Sequence, residues 1–351
     1  MSRPVDLPRL PEAPVGVPWP KPDWQVAEPG AHVDRNTLDR LVEDAFGPKP
    51  DARLGDTFAA LVIQQGRLVF ERYGAEKSGS STFHSWSMAK SITHALTGLM
   101  VKDGLLDIYA PANVPEWQTA NDPRAAITLD QLLRMSSGLE FNEDYVDGAT
   151  SDTIEMLWGA GKADTARFAA EKPLEHAPDT VCSYSSGTTN IICRHLAQTL
   201  GKNGLEFEAW MRARLFYPIG MATPVPKFDD AGTFIGSSFC FCSAQDFARF
   251  GLLYLRDGVC DDVPLLPEGW VDYARTPTPD QPDELLGYGA HWWLGLAGEG
   301  SFSANGYDGQ RLLIVPKDDL VIVRLGQSPL EEAERLNDWV AELADAFQLD
   351  G

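Results

Sequence analysis

The stretch from Met88 to Val101 constrains this chain more than any other. Ala89, Ile92, Ala95, Leu96, Leu99 and Met100 recur at helical spacing, and charges are few on every face. A helix that is apolar nearly all round must be enclosed, so the rest of the chain has to build its walls. The flanking patterns supply them. Before it, Phe58 to Gln64 and Arg67 to Tyr73 alternate around Gln65-Gly66 as a β-hairpin does. A short amphipathic helix over Asn36 to Phe46 precedes that hairpin.

Beyond Lys102-Asp103-Gly104 the pattern turns helical. Thr128 to Met135 reads as a helix capped by Thr128 or the preceding turn and closed at Ser136-Ser137-Gly138. Further helices are expected over Ser151 to Trp158, Thr189 to Leu200, Leu205 to Leu215 and Ala244 to Asp257. The last hundred residues return to strands: Gly287 to Leu294, Ser301 to Asn305, Arg311 to Val315 and Leu320 to Leu325. A final helix over Leu330 to Phe347 places Leu336, Val340, Leu343 and Phe347 on one face. This order predicts an α/β (α+β) fold in which early and late strands share one antiparallel sheet flanked by helices. The expected divisions are a proline-rich arm over 1–45, an α/β lobe from 46–110 and 285–351, and a mostly helical lobe over 111–284.

Composition narrows the function. The 351 residues allow one large domain or two closely packed ones, and 44% apolar with 23% charged residues is ordinary globular usage. The 29 basic residues against 51 acidic ones give a net charge of −22, which disfavours nucleic acid and anionic membranes as partners. That acidity serves solubility, with attraction of a cationic substrate as the alternative. The opening Met1 to Pro8 lacks the apolar run of an export signal, and no stretch reaches the ~18 apolar residues of a bilayer span. Cys182, Cys193, Cys240, Cys242 and Cys260 are odd in number and irregularly spaced, so they read as free thiols and the location as cytoplasmic.

Chemistry enters at Ser87-Met88-Ala89-Lys90, the only serine with a lysine three residues on. Both side chains lie on one face of the most apolar helix. Burial lowers the pKa of a lysine, and a neutral amine beside a hydroxyl can take its proton and make it a nucleophile. The helix N-terminus adds N–H groups that favour an oxyanion, the Ser87 amide first among them. His84, His94, His176, His195 and His291 show no metal spacing, and there is neither HExxH nor GxSxG. Glu143 and Asp144 read as solvated loop acids, with a substrate ammonium as the alternative. Trp292 and Trp293 read as core plus pocket wall.

A Ser-x-x-Lys at the head of a buried helix after a hairpin resembles the serine β-lactamase and penicillin-binding protein superfamily. Its second motif is matched by Tyr184-Ser185-Ser186, with Ser186 in place of the usual Asn. Its third motif, Lys-Thr-Gly or His-x-Gly, has no intact copy; Ser303 to Gln310 stands in its place. Absence of that cation argues against penicillin hydrolysis. The segment Asn142-Glu143-Asp144-Tyr145-Val146-Asp147 and the run Gly306-Tyr307-Asp308-Gly309-Gln310, with Asp308 at an expected histidine, resemble the 6-aminohexanoate-dimer hydrolases and related carboxylesterases. The likeness runs from about Phe58 to Leu325. It implies Ser87 as nucleophile, Lys90 as its base, Tyr184 as proton relay and Tyr145 on a closing loop that bonds the leaving nitrogen. It also implies a second oxyanion donor near Asn305 or Gly306, substrate contacts at Ser186 and Trp292, and no cofactor. The expected partner is a small amide or ester substrate, with the oligomeric state open and a homodimer one option. The alternatives are a β-lactamase or D-alanyl peptidase activity and a catalytically silent ligand-binding homologue.

Overall fold

A computed structural model describes residues 7–144, 151–279, 281 and 287–349. Seven strands form one antiparallel sheet. β1 (Asp56–Gln64) and β2 (Arg67–Tyr73) are the early hairpin, and β3 (Thr82–Phe83) follows outside the sheet. From the middle of the chain, β4 (Val225–Pro226), β5 (Cys240–Ser243), β6 (Val259–Cys260) and β7 (Val263–Pro264) make small sheets. β8 (Gly287–Tyr288), β9 (Trp293–Leu294), β10 (Phe302–Gly306), β11 (Gln310–Val315) and β12 (Leu320–Gln327) complete the large one in the order β2-β1-β12-β11-β10-β9-β8. The early and late strands meet at β1 and β12, which pair from Asp56↔Gln327 to Gln64↔Leu320. A bulge between Thr57 and Ala59 interrupts that ladder.

Alternation along these strands sorts side chains to two cores. Leu312, Ile314, Val321 and Val323 face one side, under α2 (Met88–Lys102) and the later helices. Leu313, Val315, Leu320 and Ile322 face the other, under α1 (Arg35–Phe46) and the C-terminal helix Ala333–Ala346. Between β3 and β8 run α3 (Leu129–Leu133), α4 (Asp152–Leu157), α5 (Thr165–Ala170), α6 (Ser186–Leu200), α7 (Gly204–Met211), α8 (Ala244–Leu255) and α9 (Trp270–Arg275); the C-terminal helix is α10. Among the described residues no helix is long and apolar enough to cross a membrane.

Local chemistry sets these boundaries. Thr128 and Gln131 form a reciprocal capping box on α3, Ser151 caps α4 and Ser185 caps α6. The Ser185 cap starts α6 three residues before the Thr189 expected from apolar spacing, so Ser186 belongs to the helix. The expected strand Gly287 to Leu294 is two short strands, because the backbone turns at His291 (φ 58°). α5 and α9, six residues each, are too short for periodicity to betray. The proline-rich N-terminal stretch packs on the body: Trp19 donates to the Ile219 carbonyl at 2.9 Å, Arg249 donates to the Pro20 carbonyl at 2.9 Å, and Val26 bridges Leu68.

Candidate active site

α2 is buried from Met88 to Met100, and Lys90 with it. Its start is abrupt. Trp86 takes φ 45°, a conformation costly for a bulky residue, and Ser87 follows as the N-cap. Ser85 locks that turn: its hydroxyl donates toward the Ser238 carbonyl at 3.1 Å and accepts from the Cys240 N–H at 3.0 Å. The Ser87 hydroxyl makes no capping bond, unlike Ser151, Ser185 and Ser243 at their helices. It is left for Lys90.

The Lys90 ammonium has three donors and finds three acceptors: Ser87 Oγ at 3.0 Å, Ser186 Oγ at 2.9 Å and the Ser237 carbonyl at 3.0 Å. Two of the three residues are themselves held. Asn190 of α6 accepts from the Ser237 N–H at 3.1 Å. Glu143 accepts from the Ser186 N–H at 2.7 Å and from its hydroxyl at 2.6 Å. Burial pushes Lys90 down from 10.5 to about 8, against the pull of the nearby Glu143 charge. A base poised there can accept a proton near neutral pH.

Tyr184 lies beside the pair, its ring 4.7 Å from Lys90 Nζ. Burial first, then the Glu143 charge, raises its phenol above the ordinary value, with the Ser87 hydroxyl drawing it partly back. The group is therefore a neutral proton donor at rest. Its ring packs on Trp293 at 5.2 Å and edge-on to Tyr288 at 5.6 Å.

The end of β10 closes the other side. β9 pairs only with Phe302 and Ser303, so the β10 edge from Ala304 to Gly306 has no strand beside it there. A Cβ on Gly306 would lie 2.4 Å from the Ser85 carbonyl, so only glycine lets this strand approach the backbone leading to Ser87. Asn305 Oδ1 is buried without a hydrogen-bond partner among the described residues. An edge of this kind, facing a helix N-terminus, can supply N–H groups to a developing oxyanion.

Other residues sit elsewhere than the sequence reading expected. Trp292 is fully buried, packed on Tyr254 at 4.4 Å and Phe302 at 5.2 Å; it belongs to the core, and its neighbour Trp293 is the ring beside Tyr184. Ser186 is also fully buried with its hydroxyl committed to Lys90 and Glu143, so it links two charges instead of meeting a substrate. Glu143 is no solvated loop acid, since it holds Ser186. Tyr145 lies outside the described residues. His291 ties helices together: Nδ1 meets the Leu133 carbonyl at 2.7 Å, Nε2 meets Thr189 at 3.0 Å, and burial pushes it down to about 3.

Sequence reasoning missed an aromatic wall. Trp86, next to Ser87, meets Tyr307 at 5.3 Å, Phe239 at 6.2 Å and the exposed Trp158 at 6.3 Å, with the His84 ring tilted against it at 3.9 Å. The members come from four segments, and no spacing along one element could have joined them.

The comparisons agree with this architecture. The chain is 25% identical over 301 residues to the 6-aminohexanoate-dimer hydrolase of Paenarthrobacter ureafaciens, covering 80% of this chain and 76% of that one. A candidate 6-aminohexanoate-dimer hydrolase from Bacillus anthracis superposes with a TM-score of 0.75 at 22% identity, covering 94% of this chain and 88% of that one. A family VIII carboxylesterase superposes with a TM-score of 0.64 at 13% identity, covering 89% and 98%. The family model described as Beta-lactamase matches residues 42–346. Because that match takes in well over half of the chain, the chain belongs to the beta-lactamase family.

Proposed function

We propose that this protein is a serine hydrolase cleaving small amides or esters through an acyl-enzyme on Ser87. The observation that carries the reading is Lys90, buried and depressed to about 8, bonded at 3.0 Å to a serine hydroxyl that makes no helix-capping bond. Lys90 takes the Ser87 proton as Oγ attacks the carbonyl carbon, and the electron pair moves to the carbonyl oxygen. The Ser87 N–H and an amide from the β10 edge near Asn305 or Gly306 stabilise that oxyanion. Collapse expels the leaving group, to which Tyr184 gives its proton. The phenolate so formed lies next to the Lys90 ammonium; it draws a proton from the deacylating water as the water oxygen attacks the acyl carbon, and Lys90 returns its proton to Ser87 Oγ as the Ser87–acyl C–O bond breaks, freeing the acid.

An alkoxide leaves unaided, whereas an amine must be protonated, so ester cleavage makes the smaller demand on Tyr184. The aromatic wall beside Ser87 favours an apolar chain on at least one side of the scissile bond. The P. ureafaciens relative points to linear amides, and the carboxylesterase neighbour to esters. The test is a paired assay of wild type and Ser87→Ala on p-nitrophenyl acetate, p-nitrophenyl butyrate and the linear 6-aminohexanoate dimer. The expected result is ester turnover lost by about 10⁴-fold or more in the variant. Dimer turnover lost alongside it gives an amidase, and ester turnover alone a carboxylesterase. Ester turnover that survives Ser87→Ala overturns the mechanism.

A further inference from the structure

On the sheet face away from Lys90, two arginines are buried side by side. Arg311 of β11 and Arg324 of β12 are cross-strand partners, 7% and 0% exposed, and neither has a carboxylate within ion-pair distance among the described residues. A pair of adjacent buried cations is expensive unless the acceptors around it do specific work. Most of those acceptors are backbone carbonyls, and four of the carbonyls belong to one turn, Gly306 to Gln310, between β10 and β11.

Every carbonyl of that turn is taken. Arg311 Nη1 donates to Gly306 at 3.4 Å and Gln310 at 3.0 Å. The Gln310 amide donates to Tyr307 at 3.1 Å. Arg324 Nη1 donates to Gly309 at 3.0 Å and Asp308 at 3.5 Å, and the Ser328 N–H also reaches Asp308 at 3.0 Å. Space has been cleared for this. A Cβ on Gly309 or Gly326 would lie 2.7 Å from the Arg324 guanidinium. On its other side Arg324 grips the Leu54 carbonyl at 2.8 Å and Thr57 Oγ1 at 3.1 Å, and Arg311 is anchored by Asn337 of α10 at 3.0 Å. The same turn carries Tyr307 against Trp86 and Gly306 against Ser85, immediately before Ser87.

We infer that Arg311 and Arg324 are positioning residues for the oxyanion site: they draw the carbonyls of the 306–310 turn to the α10 side, leaving amide N–H groups and a net positive field toward Ser87. The inference rests on the acyl-enzyme reading above. It places fixed positive charge behind a turn that has no Lys-Thr-Gly cation in front. The two groups touch neither substrate nor reacting atoms. Desolvation by burial pushes Arg311 down to about 10 and Arg324 to about 9, still above neutral pH, so both stay charged during turnover.

The test compares Arg324→Met, Arg324→Lys, Arg311→Met and Arg311→Lys by Tm, by kcat and KM on p-nitrophenyl butyrate, and by inhibition with phenylboronic acid, whose serine adduct carries a tetrahedral anion. A role in field and geometry orders kcat as arginine above lysine above methionine. The methionine variants then lose about tenfold to a hundredfold in kcat, KM stays within about twofold, and boronate affinity falls in parallel. A packing role orders Tm and kcat together and favours methionine over the desolvated lysine ammonium. Methionine variants that keep wild-type kcat and boronate affinity overturn the inference, as does a kcat loss that follows Tm with boronate affinity unchanged. If a methionine variant does not fold, the lysine variant at the same position reads the same ratio. Failure of the underlying reading looks different: wild type would neither turn over the ester nor bind the boronate at Ser87.

Discussion

Lys90 and the Arg311–Arg324 pair are buried cations on opposite sides of one sheet, and both are held by uncharged oxygens. They differ in what those oxygens belong to and in whether the cation can be discharged. Lys90 is bonded to two hydroxyls and one carbonyl, and burial brings it to about 8. The arginines bond mainly to carbonyls and remain charged at neutral pH. A cation that can lose its proton beside a hydroxyl is a base. One that cannot, held against a turn, can act only through field and shape. The same cost of desolvation thus serves two ends, decided by the pKa of the free side chain.

The sharpest way to break this contrast is Lys90→Met. Without the base, ester turnover should fall by about 10³ to 10⁴-fold, measured as kcat/KM on p-nitrophenyl butyrate, far more than for either arginine variant. The stability readout has a defined sign. Between about 8 and the ordinary 10.5 of lysine, the unfolded chain holds a proton that folded Lys90 has released. Stability attributable to this group therefore rises with pH across that window. Denaturant titrations at pH 7.5 and pH 10 should show a stability change between the two pH values that is more favourable in wild type than in Lys90→Met, since the buried thiols that titrate with the opposite sign are common to both.

Tyr184→Phe comes next in size. Removing the phenol should cost amide turnover about 10² to 10³-fold and ester turnover clearly less, because only the amine needs the proton. Equal losses on both substrates would assign Tyr184 to another step. The smallest effect is also the most specific. Glu143 holds Ser186 and raises the Lys90 pKa, so Glu143→Gln should shift the acid limb of the kcat/KM profile to lower pH by up to about one unit. A limb that moves upward would remove Glu143 from the electrostatics of the base.

Much of this was legible in the sequence, for identifiable reasons. α2 could be read because an all-apolar helix has one physical destination, and β1 to β2 because a two-residue turn fixes a hairpin. The Ser87, Lys90 and Tyr184 cluster was legible through motif spacing and resemblance. Glu143 was not, since an acid in a loop carries no local sign that a buried serine will claim it. Trp292 and Trp293 were not separable, as alternation assigns opposite faces but does not say which face is pocket. Arg311 and Arg324 interrupt otherwise apolar strands. Their meaning depends on a register across β11 and β12 that only the folded sheet supplies.

The central claim is a covalent one, and trapping the intermediate tests it most directly. Wild-type protein quenched in acid during p-nitrophenyl butyrate turnover, digested and mapped by mass spectrometry, should carry the butyryl group on the peptide containing Ser87. The Ser87→Ala protein should carry none. A butyryl group found on another residue, with turnover intact in Ser87→Ala, would contradict the account.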